Sequence, residues 1–176
     1  MSRYPAGLRR LHWLTVLLVA AAYLLIEQRG LFPRGSAGRN AMMQGHFWTG
    51  VSILAFTAWR IALRVRARGA VPPVSPALPA WQEWLSRVLH LSIYAFLVAM
   101  PLLGLAAMWS GGRTLELPFA GIALPSPLPV DRALAHRIED LHGEIGEIFY
   151  WVFGLHIVAA LYHHAWRRDD TLRRML

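Results

Sequence analysis

The chain of 176 residues contains no cysteine. That excludes disulfides and any iron–sulfur cluster or haem held by a thiolate. Lysine is also absent, so all 18 basic residues are arginine. Charge of either sign is scarce, at 16% of residues with only 10 acids, while 56% of residues are hydrophobic. Soluble domains sit near 45–50% apolar, so the solvent implied for this chain is lipid. Several catalytic signatures are missing as well. There is no H-E-x-x-H for an intramembrane zinc protease, no Gly-rich phosphate loop and no nucleophile elbow. Glu139-x-x-His142 occurs once, whereas a di-iron carboxylate bundle needs two such motifs and further glutamates inside its helices. A net charge of +8 would suit nucleic acid if it were clustered, but the arginines are spread between apolar blocks. A membrane surface explains them better, and no nucleic-acid partner is expected.

What the sequence does have is apolar length. Four blocks approach the ~20 residues needed to cross a bilayer: about 11–26, 41–63, 86–109 and 141–166. They predict a single all-α domain over residues 1–176, an integral membrane four-helix bundle. Pro101 is expected to kink the third helix. The joint before that helix is expected to end in a short interfacial helix bearing Trp81 and Trp84. The stretch "DRALAHRIED" is expected to start the fourth helix outside the lipid, with Asp131 as N-cap and His136 in the outer loop. The first block follows Arg9 and Arg10 and contains "AAA", as a cleavable signal would. Its apolar run continues through Leu24, Leu25 and Ile26, however, so it is read as a span. Arginine counting then sets orientation. Twelve arginines fall on the side of both termini and the second joint, and six on the other side. Both termini are therefore expected in the cytoplasm, with the chain a multi-pass protein of the bacterial inner membrane.

Ionisable groups inside a span are costly, yet "LHGEIGEIFYWVFGLHIVAALYHH" carries four histidines. Fourteen residues separate His142 from His156. On a helix that is ~21 Å of rise and falls ~40° short of four full turns, so the two imidazoles share a face at opposite ends of the membrane. Each has a depth-matched partner, His46 for His142 and His12 for His156. A lone histidine near a span end is usually an interfacial hydrogen bonder. Two pairs at matched depths are instead what two bis-histidine haem sites between helices require. His90 sits at about the depth of His12 and competes with it for His156; His12 is preferred, partly on the resemblance given below. Gly50 and Gly146 each follow a histidine by four residues on the same face, where a macrocycle could lie against bare backbone; small-residue helix packing would give the same pattern. His163, two turns beyond His156, could serve a quinone headgroup as hydrogen-bond donor and proton source, or be a surface histidine beside His164. Arg9 and Arg10 are candidates to neutralise haem propionates.

The sequence resembles the bacterial cytochrome b561 family. The matching stretches are "LHWLTVLLVAAAYLLIEQRGLFPRG", "HFWTGVSILAFTAWRIALR" followed by "PP", "HLSIYAFLVAMPLLGL" and "LHGEIGEIFYWVFGLHIVAALYHHAWRRDDTLRRM". They cover most of the chain in the family's order. The resemblance implies two b-type haems with axial ligands at His12, His46, His142 and His156, paired His12–His156 and His46–His142. It also implies similarity to superoxide oxidases that pass electrons from superoxide to ubiquinone, an implication by analogy. The expected partners are thus membrane lipid, quinone, and superoxide or a redox protein on the outer side. Superoxide is an anion, yet the outer side carries six arginines against seven acids. Any attraction must then be local, from Arg113, Arg34, Arg39 or Arg137. On the inner side Arg66, Arg68 or Arg87 would have to help hold a quinone. Two other readings share some of these features: a haem-bearing anchor subunit of a dehydrogenase or hydrogenase, and a non-redox module whose histidines bind a metal ion.

Overall fold

The computed structural model describes residues 3–67, 74–117 and 122–176. Arg68, Pro72 and Pro73, invoked above for the quinone and the family resemblance, lie outside the described residues. Four long helices dominate: α1 (Ala6–Gln28), α2 (Ala37–Arg66), α3 (Ala80–Ser110) and α4 (Arg132–Ala165). At ~1.5 Å per residue, even the shortest spans the ~30 Å hydrocarbon core of a bilayer. Three of the four, over Ala6–Leu31, Ala80–Ser110 and Arg132–Ala165, are also apolar enough to cross a membrane. The exception is α2, whose first half carries Gln44, His46, Thr49 and Ser52. Those polar groups are turned inward to partners: Thr49 and Ser52 donate to carbonyls one turn back, and Gln44 donates to the Thr114 carbonyl.

The helix starts follow local chemistry. The Ser36 hydroxyl accepts the Arg39 N–H at the head of α2, and the Asp131 carboxylate accepts the Leu134 N–H at the head of α4, as N-caps do. Two sequence expectations need correcting. The interfacial turn with Trp81 and Trp84 is not a separate helix but the first turns of α3; nothing between Ala80 and the apolar block breaks a helix. His136 is not in a loop; it lies in α4, exposed, with Nδ1 3.8 Å from Glu139. Pro101 lies buried inside α3, the helix in which the sequence placed it.

The closely packed helix pairs are α1 with α2, α2 with α3 and α3 with α4. Halfway along the bundle, Ile53, Phe96, Leu97 and Met100 form the core, backed by Phe149 and Phe153 of α4. Phe96 stacks on Phe149 with ring centres 4.0 Å apart, and Phe153 meets both edge-on. Outward faces are strongly apolar: Leu17, Trp151 and Val158 are each more than 60% exposed, as side chains solvated by lipid would be. Between α3 and α4 a two-residue antiparallel ladder pairs β1 (Leu115–Glu116) with β2 (Ala123–Leu124). It is tied to α2 by Gln44 and by Trp48, whose indole donates to the Glu116 carbonyl at 2.7 Å.

The opposite end is closed by the chain's own tail. The Tyr4 N–H donates to the Arg174 carbonyl, and the Trp13 indole donates to that of Met175. Asp170 exchanges backbone and side-chain hydrogen bonds with Ser75 in the α2–α3 joint, and Arg167 donates to Gln82 on α3. The tail thus joins α1, the joint and α3 at one end of the bundle.

Candidate functional site

The two predicted histidine pairs meet. His46 and His142 have ring centres 6.2 Å apart at the ladder end, and His12 and His156 have theirs 6.4 Å apart toward the tail end. With metal–nitrogen bonds of about 2 Å and a ring radius of about 1.1 Å, two imidazoles on opposite sides of one metal have centres roughly 6.3 Å apart. Both separations suit a shared iron. His90 is also present at the second pair, with its ring centre 5.4 Å from that of His156, about 1 Å short of the same geometry. Its Nδ1 donates to the Ser86 carbonyl one turn back.

The first pair borders a cavity of about 250 Å³, continuous with the outside, between α1, α2, α3 and α4. Gly50 and Gly146 both line it. A Cβ at Gly50 would meet nothing within 4 Å, and one at Gly146 would meet only the tip of Met100 at 3.8 Å. A third glycine, not anticipated from sequence, supports the histidine from behind. A Cβ on Gly104 would come within 3.2 Å of His142 Cε1, so α3 must be bare there for the ring to seat. The His46 Nδ1 donates to the Ala22 carbonyl at 2.9 Å, which fixes the tautomer and leaves Nε2 with its lone pair. Among the described residues no group of three or more His, Cys, Asp or Glu could close around a bare metal ion. A pair of facing imidazoles could serve a metal that is otherwise held by a ring, as in a porphyrin.

Charged groups fall unevenly around these pairs. At the cavity mouth Arg29 lines the wall beside Glu27 and Glu147. Arg113 holds its guanidinium 5.9 Å above the Phe47 ring and is ion-paired to Glu139. Of the two expected propionate partners, Arg9 donates one guanidinium hydrogen bond to the Leu176 backbone oxygen at 2.5 Å, and Arg10 is exposed. At the tail end His163 is not a free surface group. Its Nδ1 donates to Asp169 at 2.5 Å, and Asp169 is fully buried. Burial alone would push that carboxyl up, but hydrogen bonds from His163 and Thr171 outweigh it and hold the carboxyl below its usual range. Sequence reasoning missed this dyad because the six-residue return of the chain that makes it has no periodic signature.

The profile described as prokaryotic cytochrome b561 matches residues 3–176. The chain belongs to that family. Cytochrome b561 homolog 1 of Escherichia coli (strain K12) is 31% identical over 176 residues, covering 100% of this chain and 98% of its own. The protein named "Probable superoxide oxidase CybB" of Yersinia pestis is 34% identical over 166 residues, covering 94% of this chain and 91% of its own. The chain is therefore a bacterial membrane cytochrome of the b561 type, and the bundle just described is that family's helical membrane domain.

Proposed function

We propose that this b561-family cytochrome holds two b-type haems, one on His46 and His142 and one on His12 and His156, and conducts electrons from superoxide to ubiquinone. In this reading it is a superoxide:ubiquinone oxidoreductase of the bacterial inner membrane with all four helices spanning and both termini cytoplasmic. The observation that carries the reading is the recurrence of one spacing, 6.2 and 6.4 Å, at two levels of a single bundle. When bound, a bis-histidine haem supplies a one-electron iron couple with no open coordination position.

The chain's own residues divide the remaining work. His46 is oriented by the Ala22 carbonyl, and His142 is seated against Gly104. Arg29 and Arg113 bring guanidinium groups to the ladder-end cavity, where an arriving anion would compete for them with Glu139, Glu27 and Glu147. At the tail end Asp169 holds His163 in one tautomer. Its Nε2 then carries a lone pair, which can take up a proton and, once protonated, donate it to a quinone oxygen.

A reduced-minus-oxidised absorption spectrum with haem quantified per chain tests the proposal; the expected value is two. A colourless protein would remove the redox reading. Co-purification with a dehydrogenase, without turnover by the lone chain, would make it an anchor subunit instead. His163→Leu should slow quinone reduction while both haems stay; unchanged turnover would take the quinone from His163.

A further inference from the structure

Arg60 follows His46 by fourteen residues on α2, the spacing that separates His142 from His156 on α4. It therefore lies ~21 Å along the helix and on nearly the same face as His46. That places it at the level of the His12–His156 pair. Tyr94, against which it packs, follows His90 by one turn on α3, and the His90 ring meets that of His156. The guanidinium sits 5.5 Å from the centre of the Tyr94 ring, a contact that steadies a cation without neutralising it.

The anions of this end of the protein are all engaged elsewhere. Three acids lie on this side. Glu83 pairs with Arg87, Asp169 with His163 and Arg167, and Asp170 with Arg174. No ion pair to Arg60 occurs among the described residues, and the residues outside the description contain no acid. A cation drawn into the bundle of a membrane protein calls for an anion, and this chain does not provide one.

We propose that Arg60 binds an anionic oxygen group of the cofactor at the His12–His156 pair: a propionate carboxylate of the porphyrin. This rests on the two-haem reading. The planar guanidinium can hold a carboxylate through two parallel hydrogen bonds, with Tyr94 behind it. Arg60 thus takes the role that sequence reasoning gave to Arg9 and Arg10, and its charge raises the reduction potential of that site. A lipid phosphate offers the same oxyanion chemistry, so the test separates the two sources.

The full chain is reconstituted in phosphatidylcholine nanodiscs, with and without phosphatidylglycerol, and titrated spectroelectrochemically as wild type, Arg60→Gln and Arg60→Lys. His142→Leu identifies the signal of the His12–His156 site. Wild type lacking two haems would sink the underlying reading and is visible before any variant is compared. Given two haems, Arg60→Gln should lower the reduced-to-oxidised ratio of the His12–His156 site about tenfold at fixed potential, about 59 mV for a one-electron couple, and leave the other site unmoved. If Arg60→Gln instead loses that haem, retention by Arg60→Lys supports the same pairing. Both haems kept with unchanged potentials, equal shifts at both sites, loss of the haem from the lysine variant too, or a shift seen only with phosphatidylglycerol would each overturn it.

Discussion

A leucine at Gly50 should leave the haem-depleted protein no less stable and yet cost the complete protein one haem. Glycine in a helix interior is about 1 kcal/mol less favourable than alanine, and leucine is close to alanine. A Cβ at position 50 meets nothing within 4 Å, and the rest of the leucine has the cavity that Gly50 lines to extend into. For a chain of this size 1 kcal/mol moves Tm by roughly 2–4 °C, and the depleted variant should melt at or slightly above the wild type. The same side chain projects into the cavity shared by His46 and His142, one turn beyond the His46 ring, where a macrocycle held by that ring would lie. Absorbance per chain should fall from two haems to one, with the signal of the His12–His156 site retained. Two haems in Gly50→Leu would refute the reasoning. A lowered Tm of the depleted variant would show that Gly50 serves helix packing. Gly104→Ala is the informative contrast. Its Cβ would press His142 Cε1 at 3.2 Å, so it should perturb the spectrum of the same site by displacing the ligand.

His46→Leu or His142→Leu should abolish the ladder-end haem while sparing part of the other, read by haem per chain; equal loss of both would contradict the pairing. His12→Leu should remove the tail-end haem and His90→Leu should leave it; the reverse result would give the ligand to His90. Asp169 has its folded pKa below the ordinary ~3.9 of an aspartate. The stability it contributes is therefore complete above that value and lost as pH falls through the lower folded one. Limited proteolysis should accordingly release the tail of the wild type only in strong acid and that of Asp169→Asn at neutral pH. A tail equally resistant in both proteins would show that the dyad does not hold it.

How much of this was legible beforehand depended on whether a feature was periodic. Fourteen residues on a helix fix direction and depth together, so spacing anticipated the meeting of His142 with His46 and brought His156 to the depth of both His12 and His90, between which the family resemblance helped to choose. Asp131 was recognisable because an N-cap is a local hydrogen bond. The same periodic argument would have exposed Arg60, but it was applied to histidines alone. Gly104 could not be singled out, since its importance lies in what α4 presses against it. The tail was opaque for a related reason. Arg9, Trp13 and His163 reveal their partners only once residues 166–176 fold back, a contact between distant segments with no trace in local pattern. The first turns of α3 were misjudged because hydropathy reports where lipid begins, whereas a helix continues into the interface as long as nothing breaks it.

The aromatic layer of Phe96, Phe149 and Phe153 has a bioenergetic consequence. It fills the space between the two histidine pairs mainly with packed aromatic and aliphatic side chains. Such a layer resists a proton or hydrated ion, which needs polar partners along its way, far more than an electron, which needs none. In the two-haem reading proposed above, the bundle is an insulated conductor: it would carry current across the bilayer without short-circuiting the gradient that the bilayer stores.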